Sequence, residues 1–78
     1  MDKKAGTNEM LATVRSNIVC LMKVRGKTGE DMAQTLCMSR YTWIKRMSNP
    51  GSISLLELDA IAKALGTTPQ RLLTETAW

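Results

Sequence analysis

Arg40, Tyr41, Trp43, Lys45 and Arg46 put three cations and two aromatic rings into the stretch MSRYTWIKRMSNPGSIS, Met38 to Ser54, and no Asp or Glu occurs between Met32 and Leu56. The chain has eleven Lys and Arg against seven Asp and Glu, and the eight bases elsewhere are interspersed with all of the acids. The net charge of +4 is therefore concentrated in one short segment. Guanidinium and ammonium groups without neighbouring carboxylates suit an anionic partner, and the planar fork of arginine adds directional donors to the charge.

Groups for covalent or acid–base chemistry are scarce. There is no histidine, no Gly-rich phosphate loop and no cysteine beside a plausible base, so no enzyme activity is expected. The acidic pairs Glu30-Asp31 and Glu57/Asp59 fall where helices open, and helix-end electrostatics accounts for them without a reaction. Cys20 and Cys37 are too far apart for a C-x-x-C motif, and without histidine a zinc site would lack ligands. Both read as reduced, structural thiols, and neither a metal nor another cofactor is expected.

The elements that must position the basic segment follow from length and periodicity. Seventy-eight residues allow one domain, and 44% hydrophobic residues with only 4% aromatics, no phenylalanine and six methionines favour helical packing over β-rich packing. The expected fold is all-α, a compact bundle of about five short helices. A loose amino-terminal arm is expected over residues 1–6 and a single domain over 7–78. Thr7 or Asn8 is positioned to cap a first helix whose apolar stripe is Met10, Val14, Ile18, Leu21 and Met22, ending near Arg25 at Gly26. Thr28, with Asp31 three positions on, opens a helix of barely two turns that turns Met32, Ala33 and Leu36 inward. Ser39 caps the next, in which Trp43 and Met47, four apart, face the core rather than a ligand. Asn49-Pro50-Gly51 stops it. Ser54 and Glu57 form a capping box, with Ile53 and Leu58 as a hydrophobic staple, ahead of the stripe Leu58, Ile61, Ala62 and Leu65. Gly66 closes this helix, and Thr68-Pro69 opens a last one with Leu72 and Leu73.

Two short helices, TGEDMAQTL and SRYTWIKRM, joined by the tight turn CM, with small Ala33 at their crossing, have the makings of a helix-turn-helix. With the flanking pieces GKTGEDMAQTL, MSRYTW, RMSNPGSISLLEL and IAKALGTTPQRLL, residues 18–73 resemble the lambda-repressor-like, Cro/repressor helix-turn-helix family of bacteria and their phages, especially its small phage-type members. The resemblance implies a five-helix transcriptional regulator, a repressor of phage or prophage type, acting as a homodimer on a palindromic operator in double-stranded DNA. The chain departs from that pattern at four places. Gly29 replaces a glutamine that commonly braces the DNA backbone, Cys37 replaces the usual turn glycine, Lys27 stands where an apolar residue is common, and Trp43 is large for its anchor position.

In this reading Arg40 and Lys45 donate to guanine O6 and N7, Tyr41 touches a base or phosphate, and Ile44 packs on a thymine methyl. Thr28, Ser39, Thr42, Arg46 and Ser48 are the expected phosphate contacts, although Ser39 is equally explained as a cap. Dimer contacts are expected from Leu72 to Trp78. For Trp78 three placements stay open: unattached, on the domain's own core, or across the dimer interface. The rival reading is a protein-interaction module, such as an antitoxin or adaptor on the same scaffold. MDKKAGTNEM lacks the apolar core of a signal peptide, and no apolar run approaches the ~20 residues that cross a bilayer, so a cytoplasmic location without membrane contact is expected.

Overall fold

Four side-chain oxygens mark where this chain turns into helix. Thr28, Ser39, Ser54 and Thr68 each accept a hydrogen bond from the backbone N–H three residues on, at 3.1, 3.0, 3.0 and 3.3 Å. Each satisfies one of the donors that an opening helix leaves unpaired. The computed structural model describes the backbone of residues 4–74 and the side chains of residues 9–74. These residues are all-α: α1 (Lys4–Arg25), α2 (Gly29–Thr35), α3 (Arg40–Ser48), α4 (Leu55–Ala64) and α5 (Pro69–Leu73), with one 3₁₀ turn at Pro50–Ser52. No strand occurs among the described residues, and no helix there is long and apolar enough to cross a membrane.

The beginning of α1 differs from expectation. The helix already includes Lys4, Ala5 and Gly6, so the arm does not reach residue 6, and Thr7 and Asn8 are interior positions rather than caps. Once the downstream turns are held by packing, each added residue gains a hydrogen bond without a new nucleation cost, and Lys4 and Ala5 are good helix formers that offset Gly6. Met10, assigned to the buried stripe, is half exposed, because the stripe enters the core only from Val14 onward.

The core collects Val14, Ile18 and Leu21 from α1, Met32 and Ala33 from α2, and Trp43 from α3. Leu58, Ile61, Ala62 and Leu65 join from α4 and its cap, and Leu72 from α5. Helix α1 is the spine, with α5 and the 3₁₀ turn packed along it, while α2 and α3 pack on each other and α2 also touches α4. Two polar clamps fasten the spine to helix ends. The buried Asn17 amide donates to the carbonyls of Arg71, Leu72 and Thr74 at 3.3, 2.9 and 3.0 Å. Arg25 Nε donates to the Leu65 carbonyl at 3.0 Å. Both supply donors to carbonyls that a helix terminus cannot satisfy itself.

Three helices end in the same way. Gly26, Cys37 and Gly66 all have positive φ, +68°, +57° and +72°, and in each case two backbone N–H groups fold back on the last turn. Cys37 N–H donates to Gln34 at 3.1 Å and Met38 N–H to Ala33 at 2.9 Å, and the same pair forms after α1 and α4. This is the Schellman closure, which favours glycine at the left-handed residue. Cys37 adopts the conformation at a steric cost that the other two avoid, so the turn keeps its shape under strain. Replacing Cys37→Gly is therefore expected to raise stability by about 1 kcal/mol, the left-handed penalty less the extra unfolded-state freedom of glycine. Urea melts of the two proteins check this, and an unchanged midpoint would show that the turn stores no strain.

Candidate nucleic-acid interface

Helix α3 is amphipathic in a simple sense: one side chain is in the core and a stripe of five faces water. Trp43 is 3% exposed, whereas Arg40, Tyr41, Ile44, Lys45 and Ser48 are exposed, at the three- and four-residue steps that align side chains along one face. All four expected base-reading residues thus lie together on the solvent side. Tyr41 is 70% exposed, and Lys45 Nζ stands 5.5 Å from its ring centroid, an i,i+4 cation–π contact that holds the ammonium over the ring.

The expected phosphate contacts divide differently. Thr28 and Ser39 are exposed at the openings of α2 and α3, and both already act as caps. Ser39 Oγ also donates to Thr42 Oγ1 at 2.9 Å, so the Thr42 hydroxyl accepts in that pair and its own hydrogen is not used there. Ser48 is exposed at the end of the α3 stripe. Arg46 is the exception: its Nε and Nη2 meet the two carboxylate oxygens of Glu57 at 3.0 and 3.3 Å. The basic segment is consequently not left wholly without counter-charge. Glu57, eleven residues on, neutralises Arg46 across the Asn-Pro-Gly turn, and the open charge resides on Arg40 and Lys45, which make no ion pair among the described residues.

Glu57 carries two tasks. Its Oε1 accepts the Ser54 N–H at 3.0 Å, completing the capping box of α4, while the fork of Arg46 binds the same carboxylate from α3. The Arg46 hydrogen bond, followed by the Ser54 N–H, holds the Glu57 carboxyl below its ordinary value of 4.5. Asp31 is lowered in the same direction by the Thr28 backbone N–H and hydroxyl in the capping box of α2.

Neither the Arg46–Glu57 pair nor the role of Gly29 was visible in local sequence. A Cβ built at Gly29 would lie 3.2 Å from Trp43 Cδ1 and 3.3 Å from Trp43 Nε1, so the missing side chain at 29 makes room for the indole. The absent side chain at 29 and the large ring at 43 are one packing solution. Of the segment assigned to a dimer contact, Leu72 is fully buried in the core and Leu73 and Thr74 are exposed, while Glu75 to Trp78 lie outside the described residues. Leu72 therefore cannot serve an interface, because the α1–α5 packing already covers it. Among the described residues the most exposed large apolar side chains are instead Leu55 and Leu56, at 83% and 82%.

No group of three or more His, Cys, Asp or Glu that could hold a metal ion occurs among the described residues. No protein-family model, curated protein or solved structure matches the chain.

The Glu57 pairing has a pH signature. Its folded-state pKa is lowered, so its stabilisation is complete above the unfolded value and is lost as pH falls below 4.5 through the folded value. At neutral pH Glu57→Gln is expected to be less stable than wild type, with the gap closing as pH drops below 4.5. Thermal melts of both proteins from pH 7 to pH 2.5 read this directly, and a gap that stays constant with pH would mean that the ion pair contributes nothing.

Proposed function

We propose that this chain is a sequence-specific DNA-binding regulator of transcription that inserts the exposed face of α3 into a major groove. One observation supports the reading above others. Arg40, Tyr41, Ile44 and Lys45 share the water-facing side of a helix whose opposite side is anchored in the core, and the two cations among them lack a carboxylate partner among the described residues. A groove about 12 Å wide accepts such a helix, and its base edges offer acceptors for Arg and Lys and a methyl for Ile. The resemblance of residues 18–73 to the Cro/repressor family extends the reading to a phage- or prophage-type repressor.

Arg40→Ala and Lys45→Ala are each expected to weaken specific binding by about 1 to 3 kcal/mol with melting unchanged, because neither side chain packs in the core. The duplex for this measurement comes from selection out of a random pool. Undiminished affinity in both variants would remove α3 from the interface. Salt separates this reading from the protein-interaction alternative: log affinity should fall with log salt by about 0.9 for each phosphate neutralised, whereas an apolar protein contact depends on salt weakly.

A nine-residue helix reads only a few base pairs, so the proposal includes a homodimer on an inverted repeat, with half-sites about 34 Å apart. Leu55 and Leu56 are the apolar side chains available to a second copy. An isologous contact sets a patch against itself, which leucines accept and a like-charged patch does not. Leu56→Glu, at the second position of α4 where an acid suits the helix dipole, should leave the fold intact and convert dimer to monomer in sedimentation. A monomeric wild type would refute the dimer, and a dimer indifferent to this substitution would refute the interface.

A further inference from the structure

Trp43 is the core anchor of α3, yet its polar atom is not spent on the core. The residue is 97% buried by its 3% exposure, and its indole N–H finds no acceptor among the described residues. Nor is that nitrogen sealed off: the only polar side-chain atom fully covered and unpartnered there is Thr67 Oγ1. The edge of the indole that carries Cδ1 and Nε1 faces Gly29, where even a methyl would approach within 3.2 to 3.3 Å. It opens on a cleft of about 280 Å³ between α2 and α3, lined by Thr28, Gly29, Glu30, Arg40, Trp43 and Ile44.

An indole N–H is a donor only, and this one is left accessible to an acceptor from outside the chain. The other groups in the cleft tell what partner fits. Thr28 Oγ1 is engaged with Asp31 in the capping box of α2, whereas Arg40 offers only donors. Glu30 is the single carboxylate on the rim, and it is exposed, with room to turn away into solvent. The indole N–H and the guanidinium of Arg40, whose residues line one cleft, suit an oxygen that bears negative charge.

We propose that the Trp43 indole N–H donates a hydrogen bond to a backbone phosphate oxygen of bound DNA, seated in the cleft that Gly29 keeps open. The proposal rests on the DNA-binding reading and adds to it a contact made by a residue whose visible role is packing. Gly29, having no Cβ to crowd Cδ1 and Nε1, leaves that edge of the ring accessible.

The test replaces the N–H while keeping the bicyclic shape. Benzothienylalanine at position 43, introduced by chemical ligation at Cys37, substitutes sulfur for N–H, and Trp43→Phe serves as a second, fully genetic variant. Both are measured on the selected duplex and on unrelated duplex DNA, with affinities corrected for folded fraction from thermal melts. The expected result is a loss of about tenfold or more in both variants, the scale of a hydrogen bond to a charged group, on selected and unrelated DNA alike. The salt slope should not change, since a neutral donor releases no counterion. A scan with uncharged methylphosphonate linkages should find one phosphate per half-site whose replacement weakens wild type about tenfold more than it weakens the benzothienyl protein. Benzothienyl protein that binds as wild type, while Arg40→Ala remains weakened, overturns the Trp43 contact and leaves the DNA reading standing. A loss confined to the selected sequence assigns the N–H to a base and overturns the phosphate. Wild type that binds no duplex overturns both.

Discussion

A helix of nine residues has no stability of its own in water, so the placement of α3 depends on what fastens it, and the principal fastening is one indole. Trp43 is the only fully buried side chain of α3, with Met47 packed partly against the same core. Everything displayed on the outer face inherits its position from that anchor. Rotation of α3 about its axis would have to drag the largest side chain in the core through close-packed neighbours, among which small volume changes are already costly. A rigid, bulky anchor therefore holds the exposed Arg40, Tyr41, Ile44 and Lys45 in fixed register.

The indole in turn constrains its surroundings. Gly29 is needed because α2 passes so close that a Cβ there would press on the ring. The glycine opens a helix only seven residues long, where it lowers an already weak propensity, and the capping box of Thr28 and Asp31 supplies local hydrogen bonds at the same place. Across the turn, Cys37 accepts a left-handed backbone that glycine would adopt freely, so the link between α2 and α3 is held by the packing on either side of it rather than by its own preference.

Much of this was readable from sequence, for definable reasons. Helix openings were legible because Thr28, Ser39, Ser54 and Thr68 act within three residues of themselves, and helix ends were legible where glycine or the Asn-Pro-Gly turn stands. The inward residues of α2, α3 and α4 followed from spacing alone. Two kinds of feature were not legible. The start of α1 has no capping signal that competes with simple extension of a packed helix, so an arm was expected where Lys4 to Gly6 are helical. Contacts between distant elements leave no local trace: Asn17 under α5, Arg25 at the end of α4, and Arg46 with Glu57 depend on how the helices meet. Asn17 alone gave a hint, as a polar residue inside the apolar stripe of α1.

The Arg46–Glu57 pair changes how the basic segment is understood. A count along the chain finds three unopposed cations, but charge acts through space, and folding brings one carboxylate back to the nearest guanidinium. The remaining two cations are those on the exposed stripe, so pairing Arg46 concentrates the open charge on the outer face of α3. Because Glu57 also caps α4, the same carboxylate fixes the direction in which the chain leaves the Asn-Pro-Gly turn. Arg46 thus acts from the flank of α3 as a second fastening, set apart from Trp43 by three residues and reaching a different helix. Two attachments at different points resist both rotation and tilt, which a single buried ring cannot do. A surface prepared in this way loses little conformational freedom when it is covered, and that preorganisation leaves more of each contact formed by Arg40 or Lys45 to appear as affinity.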